Sequence, residues 1–300
     1  MAEKGMINIT GAAEGCVAPI ISDLINEKKG QSLIVVSTFN RAKRLAADLS
    51  FFNTRNIYIL PQEEETFLQY EARSNDDLLE RMKVLRAVTA GEECIVIAPV
   101  TGAVKKLPPR EIFEENVLRL KLGEDADPEE IKRRLTLMGY ERVSMIESRG
   151  EYSIRGGIID IFSYTDEAPV RIELWDDEVD SIRYFDVSSQ RSIEKLNEYT
   201  IFPATECILD SEEISSGIEK VKKEQQKQLE KFGINNKKRS KESIESCNHI
   251  NRMVADMERT GNYERFINAF ARMLTGFASY FPKEDTLFIL DEPNRMKERM

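Results

Sequence analysis

Two short segments, one near each end of the 300-residue chain, contain residue types that bind phosphate and magnesium. Near the start, Gly11 and Gly15 lie in the stretch ITGAAEGCV (9–17), directly before a helical pattern. In such a turn, backbone N–H groups and the helix dipole face an anion. Near the end, Asp291 and Glu292 follow the apolar run TLFIL, as the magnesium-binding aspartate and its neighbouring glutamate do in ATPases. Together these residues predict the two halves of one nucleotide site.

The first half of this site lacks the residues that a working phosphate loop needs. Such a loop requires a lysine for the β- and γ-phosphates and a serine or threonine for magnesium. The stretch 11–17 contains none of these, and its glutamate would repel phosphate. The alternative interpretations are an ordinary Gly/Ala-rich helix start and a buried strand that ends in an acidic turn. The sequence therefore predicts a degenerate nucleotide site with no catalytic residue, metal or cofactor, formed by Gly11, Glu14, Gly15, Asp291 and Glu292.

The other reactive side chains offer little chemistry. His249 is the only histidine and lies in a polar helical stretch, so triad catalysis and most zinc sites would depend on it alone. The four cysteines are far apart and none forms a C-x-x-C pair, which predicts reduced thiols in the cytoplasm. No apolar run is long enough to cross a membrane, and no secretion signal opens the chain. The net charge of −10 argues against broad affinity for DNA.

The elements that would position the nucleotide site alternate between helix and strand. Continuous β-branched strands separated by helices are typical of a parallel sheet covered on both faces. The sequence therefore predicts an α/β domain of the degenerate P-loop, RecA-like class, to which a last strand at 286–290 returns. The other strands are predicted at 32–37, 56–60 and 94–98, and the helices at 15–28, 39–52 and 76–90.

The pattern changes after residue 115. One helix is predicted at 127–139, with a proline at its first position and a glycine at its end, and short alternating strands fill 143–203. This is typical of an inserted small α+β domain with an antiparallel sheet. Charged helices after residue 210 then form a mainly helical subdomain. The sequence thus predicts three domains, at 1–115, 116–203 and 204–300.

The middle of the chain also contains a long and specific run of residues. It reads RGGIIDIF at 155–162, VRIELWDDEVDSIR at 170–183, FDVSSQRS at 185–192 and FPATE at 202–206. This run resembles the UvrB-homology region of bacterial transcription-repair coupling factors. The segments CIVIAPVTGAV at 94–104 and LDEPNR at 290–295 fit the same family, so the resemblance spans essentially the whole chain.

The resemblance implies a fold that mimics the repair helicase UvrB, with domains called 1a, 2 and 1b. It also implies that domain 2 docks on UvrA, the damage-recognition ATPase, so that a stalled RNA polymerase is linked to nucleotide excision repair. The polymerase-binding and translocase domains of the family lie in other parts of the full-length protein. UvrB carries a tyrosine-rich hairpin that probes damaged DNA, whereas residues 60–76 form only a short acidic link here. The resemblance therefore implies weak or no direct DNA binding and no ATP turnover.

The predicted docking residues lie around one strand of domain 2. Strand 170–175 alternates between a core face and a second face that carries Arg171 and Trp175, the only tryptophan. Arg155 precedes two glycines that would let the chain bend sharply. Carried over by motif, the family's UvrA-contacting positions fall on Arg155, Arg171 and Trp175. Arginine and tryptophan are the residue types that dominate interface hot spots.

The sequence leaves several alternatives open. In the first alternative, Trp175 caps a small hydrophobic edge and the two arginines pair internally with Glu173 or Asp176. The region would otherwise be an active helicase-like ATPase that uses Asp291 and Glu292, or a UvrB-like DNA-binding domain; the missing lysine is the main obstacle to this alternative. Alternatively, the docking residues would contact other domains of the same long protein and act as an autoinhibitory module.

Overall fold

The structure, a computed structural model, describes residues 7–61, 75–231, 241–260, 263 and 267–298. The chain divides into two compact units. The first unit comprises residues 1–105 together with 276–300, and the second comprises residues 106–275. The division into three domains predicted from the sequence stays a prediction.

The elements follow the sequence patterns closely. The helices are α1 (Val17–Asn26), α2 (Phe39–Leu49), α3 (Asn75–Thr89), α4 (Val100–Ala103), α5 (Arg110–Glu115), α6 (Pro128–Leu137), α7 (Ser211–Lys231), α8 (Lys241–Thr260), α9 (Ile267–Phe270) and α10 (Pro293–Lys297). The strands up to the middle of the chain are β1 (Ser32–Val36), β2 (Asn56–Ile59), β3 (Cys94–Pro99), β4 (Lys106–Leu107), β5 (Leu118–Lys121), β6 (Glu141–Arg142) and β7 (Glu151–Arg155). The remaining strands are β8 (Ile158–Ile161), β9 (Val170–Trp175), β10 (Glu178–Phe185), β11 (Ser192–Leu196), β12 (Glu198–Ile201), β13 (Thr275–Gly276) and β14 (Leu287–Leu290).

The first unit contains a four-stranded parallel sheet in the order β14-β1-β3-β2. Strand β3 is buried along its whole length, as expected for a central strand covered on both faces. Helices α1 and α2 bury their apolar sides, including Ile25 and Leu45, against β1 and β3. The α/β class and the parallel sheet predicted from the sequence are therefore confirmed. Strand β14 pairs with β1, so the sheet joins residues from both ends of the chain.

The second unit contains a six-stranded sheet in the order β11-β10-β9-β8-β7-β6. Helix α6 packs Ile131 and Leu135 into the same core as the inner face of this sheet. Asp127 caps α6 by accepting a hydrogen bond from the Glu129 N–H, and a proline follows at the first helical position. This is the helix start that the sequence predicts.

The antiparallel sheet predicted for this unit is confirmed from β7 to β11 but not at β6. Strand β6 pairs in parallel with β7, so the sheet is mixed. A parallel neighbour needs a crossover connection, and residues 143–150 supply one before the chain enters β7. Two backbone hydrogen bonds hold this parallel pairing. The N–H of Glu141 donates to the carbonyl of Gly150, and the N–H of Val143 donates to the carbonyl of Tyr152.

A mainly helical region completes the second unit, as the sequence predicts. Helices α7, α8 and α9 share a small apolar core with Val221, Met257 and Phe270. Helix α7 passes Phe270 at Gly217, where an added Cβ would lie 2.2 Å from the ring. Within the described part of the chain, none of the helices has the length and apolar character needed to cross a membrane.

Candidate functional site

The predicted nucleotide site lies at the carboxyl edge of the parallel sheet in the first unit. Asp291 directly follows β14, and its N–H donates to the carbonyl of Val35 in β1. Glu14 lies in the short turn that precedes α1. These two acidic residues are joined by a third side chain that the sequence does not single out, Arg41 in the first turn of α2.

Arg41 binds Asp291 closely and approaches Glu14 at a longer distance. Its Nε donates to Oδ2 of Asp291 at 2.6 Å, and its Nη1 lies 3.8 Å from Oε1 of Glu14. The backbone N–H of Arg41 donates to the hydroxyl of Thr38, which caps α2. The hydrogen bond to Asp291 raises the pKa of the Arg41 guanidinium further above its ordinary value. Arg41 is therefore charged and neutralises Asp291.

The other predicted residues of this site have no such arrangement. Gly11 adopts a positive φ of 79°, which favours glycine, but nothing in the described residues lies within 4 Å of where its Cβ would be. The same open space surrounds Gly15. Glu292 has a left-handed backbone and pairs with Arg295 at 2.9 Å. The structure thus brings Glu14 and Asp291 together through Arg41, and leaves the two glycines exposed.

The predicted docking residues lie on the outer face of the six-stranded sheet. Arg155 and Arg171 converge on one carboxylate, that of Asp160 in β8. Nε and Nη2 of Arg171 donate to the two oxygens of Asp160 at 2.6 and 2.9 Å. Nη2 of Arg155 donates to Oδ2 at 2.8 Å. The three residues, which we call the arginine cluster, occupy three adjacent strands.

Arg171 is further fixed by its other neighbours. Its Nη2 donates to Oε1 of Gln190 at 2.7 Å, and its guanidinium lies 4.3 Å from the centre of the Phe185 ring. Only 13% of the Arg171 side chain is exposed, against 48% for Arg155. The two arginines therefore differ in exposure. The Arg171 side chain is packed against its neighbours on the sheet, whereas about half of the Arg155 side chain is exposed to solvent.

Trp175 stands apart from the arginine cluster. It is the last residue of β9 and is 80% exposed. It lies four residues beyond Arg171 on the same face, which corresponds to about 13 Å along the strand. Between the two residues, Glu173 pairs with Arg183 on the neighbouring strand. The alternation of β9 is confirmed, since Val170 and Ile172 are fully buried on its other face, as predicted.

The two arginines pair internally, but with a different carboxylate from the two that the sequence suggests, Glu173 and Asp176. Both arginines pair with Asp160, while Glu173 accepts hydrogen bonds from Arg183 and Ser181. The hydrogen bond from Arg183 is the main reason that the pKa of Glu173 falls to about 2. The sequence does not single out Asp160, because one acid in the apolar strand IIDI gives a weak signal. Asp160 lies directly opposite Arg171 in the ladder between β8 and β9, and this position allows the two side chains to pair.

A shallow cleft of about 430 Å³ opens beside Arg155 at the end of the sheet. It is lined by Arg142, Val143, Ser144, Ser153, Ile154 and Arg155. Two arginines thus border this cleft, so it would accept an acidic side chain more readily than a basic one. Among the described residues, there is no group of three or more His, Cys, Asp or Glu side chains that could hold a metal ion. The acidic link at 60–76 falls almost entirely outside the described residues.

Comparison with known proteins places these features in context. Residues 118–207, which include the arginine cluster and Trp175, match the family described as UvrB interaction domain. The chain is 32% identical over 297 residues to the transcription-repair-coupling factor of Bacillus subtilis (strain 168), covering 99% of this chain and 25% of that protein. It is 31% identical over 291 residues to the protein of that name from Staphylococcus aureus (strain USA300), covering 97% and 24%. The chain thus spans about a quarter of the length of these relatives.

Proposed function

Because this chain corresponds to the N-terminal quarter of transcription-repair-coupling factor and contains a UvrB interaction domain, we propose that it recruits the repair protein UvrA. The docking surface is the outer face of the six-stranded sheet and is defined by Arg155, Arg171 and Trp175. In the longer protein, this docking would connect a stalled RNA polymerase to nucleotide excision repair in the cytoplasm.

The exposure of Trp175 is the observation that carries this proposal. A tryptophan side chain can bury 150–250 Å² of surface, yet Trp175 is 80% exposed. A large exposed aromatic ring on the same sheet face as two arginines has the composition of an interface hot spot. The arginine cluster adds donors for a carboxylate of the partner, since charge-assisted bonds from arginine are strong and directional. The surface therefore fits a protein partner with an apolar pocket and an acidic rim.

Binding of this chain to purified UvrA tests the proposal directly. The wild-type chain should be retained on immobilised UvrA, and the Trp175→Ala variant should lose most of this retention. Phe51→Ala is the matched control, because Phe51 is 84% exposed but lies in the first unit. Equal loss for both variants, or retention of Trp175→Ala, would contradict a specific docking surface.

The first unit takes no part in catalysis under this proposal. We interpret it as a degenerate P-loop, RecA-like domain into which the α+β domain is inserted. The interaction between Arg41 and Asp291 supports this, because the carboxylate that would hold magnesium is already paired with a cation of the chain. ATP turnover in the longer protein would belong to its translocase domain, outside this chain. An active ATPase in this region remains the competing hypothesis.

An intramolecular partner is the second competing hypothesis. The relatives are about four times longer than this chain, so another of their domains would be able to cover the docking surface. UvrA would then bind only after that domain moves away. Comparing UvrA binding by this chain and by the longer protein separates the hypotheses, since masking predicts tighter binding by the isolated chain.

A further inference from the structure

The centre of the arginine cluster is a buried carboxylate. Asp160 is only 2% exposed, and its two oxygens accept three hydrogen bonds from Arg155 and Arg171. A buried carboxylate is stable in its charged form only when it is paired and hydrogen-bonded. Asp160 and Arg171 face each other directly across the ladder between β8 and β9. Asp160 therefore fixes the place of both guanidinium groups.

The charges of the cluster define what it can bind. One carboxylate and two guanidinium groups leave a net charge of +1 on the cluster. Arg171 directs Nε and Nη2 toward Asp160 and Gln190. Within the described part of the chain, its Nη1 has no hydrogen-bond acceptor. Arg155 commits only Nη2 and is about half exposed. The donors that remain free point to a single additional anion.

We propose that Asp160 is the positioning residue of the docking surface, and that it holds the arginine pair in place for one carboxylate of UvrA. This inference rests on the proposed function. Under this proposal, Asp160 itself does not contact UvrA. It sets the spacing of the guanidinium groups and prevents the arginines from repelling each other. Arg155 is the arm that adjusts to the partner, and Arg171 is the fixed base.

A double-mutant cycle distinguishes positioning from general stabilisation. The variants are Asp160→Asn, Arg155→Ala and their combination, each titrated with UvrA. Asparagine has a similar shape but turns an N–H₂ group toward the arginines, so Asp160→Asn should weaken binding roughly tenfold. In the Arg155→Ala background, the same change should weaken binding less, because Arg155, one of the two side chains that Asp160 positions, is already absent.

Tyr140→Phe is the control for lost stability. It removes a buried hydrogen bond from Tyr140 to the carbonyl of Phe202 in the same unit, away from the cluster. Thermal unfolding of both variants identifies how much of an affinity change comes from stability alone. We expect Tyr140→Phe to lower the melting temperature and to leave the affinity for UvrA unchanged.

A second variant keeps the test decisive if Asp160→Asn fails to fold. Asp160→Glu retains the charge but moves the carboxylate by one methylene, so it should shift the guanidinium groups and weaken binding several-fold. Unchanged affinity in Asp160→Glu would overturn the inference, as would a loss in Asp160→Asn that is equal in both backgrounds. If Arg155→Ala, Arg171→Ala and Trp175→Ala all leave binding intact, the proposed function itself fails.

Discussion

Arg41 donates a 2.6 Å hydrogen bond from Nε to Oδ2 of Asp291, a residue 250 positions later in the chain. This contact joins the first turn of α2 to the end of β14 at the carboxyl edge of the parallel sheet. Open α/β sheets bind their ligands at this edge. In this chain, the acid that would face magnesium instead faces an internal cation. The contact therefore contributes to folding at the edge where we propose a degenerate nucleotide site.

We predict that the chain neither binds nor hydrolyses Mg·ATP. The phosphate loop lacks its lysine, and Asp291 is neutralised by Arg41. Arg41→Ala should not restore nucleotide binding, because the lysine is still missing. It should lower the free energy of unfolding by about 2 kcal/mol, since Asp291 is left buried without its partner. Calorimetry with Mg·ATP and urea unfolding are the measurements. Submillimolar affinity for ATP that disappears in Asp291→Ala would contradict the prediction.

The ion pair between Glu173 and Arg183 predicts a specific dependence of stability on pH. The pKa of Glu173 is lowered from 4.5 to about 2, mainly by the hydrogen bond from Arg183. Because the folded state has the lower pKa, the stabilisation is complete above pH 4.5 and disappears as the pH falls toward 2. The difference in unfolding free energy between the wild type and Glu173→Gln should therefore shrink over this range. Urea unfolding at pH 6 and pH 3 measures it, and a constant difference would refute the assignment.

Strand β9 shows which features could be predicted from the sequence. Its alternation depends only on the period of two residues in a strand, so the buried face with Val170 and Ile172 followed from the local pattern. The same alternation in β8 places Asp160 on the outer face. It does not reveal that two arginine side chains cover the carboxylate and leave it 2% exposed. The burial of Asp160 depends on arginine side chains from the neighbouring strands β7 and β9, which the pattern of β8 alone does not contain.

Long-range pairing explains the other features that the sequence did not reveal. Arg41 lies in an ordinary amphipathic helix, and no local pattern indicates a partner 250 residues away. For a related reason, the sequence does not indicate the parallel pairing of β6 with β7. A two-residue strand carries too little pattern to indicate its direction, and backbone bonds to Gly150 and Tyr152 decide it instead.

Binding to DNA should be weak and should not depend on sequence or damage. The net charge of −10 opposes attraction to phosphates, so only local basic residues such as those around the arginine cluster would contribute. Such binding should fall steeply with salt concentration. Fluorescence anisotropy with intact and damaged duplexes at low and physiological salt measures it. Tight, damage-selective binding at physiological salt would show that the chain contains a DNA-probing element.

The last prediction concerns alanine substitution in the docking surface. Each of Arg155→Ala, Arg171→Ala and Trp175→Ala should weaken UvrA binding by about 2 kcal/mol, which is roughly thirtyfold. Arg133→Ala is the control for charge, because Arg133 is an exposed arginine on α6 that pairs with Glu130. Calorimetry measures the affinities. For UvrA segments that lack tryptophan, the emission of Trp175 follows binding directly.

The three substitutions should differ in their effects on folding. The sequence predicts that none of the three residues faces the core, so that folding survives each substitution, but the structure revises this for Arg171, whose side chain is only 13% exposed. Arg171→Ala removes two of the three hydrogen bonds to the buried Asp160, so it should cost about 3 kcal/mol of stability. Arg155→Ala should cost less, and Trp175→Ala almost nothing, because its ring is exposed. Thermal unfolding separates the three. A large loss of stability in Trp175→Ala would mean that the ring is packed within the unit. Trp175 would then not be available to contact UvrA, and the proposed docking surface would lack its aromatic residue.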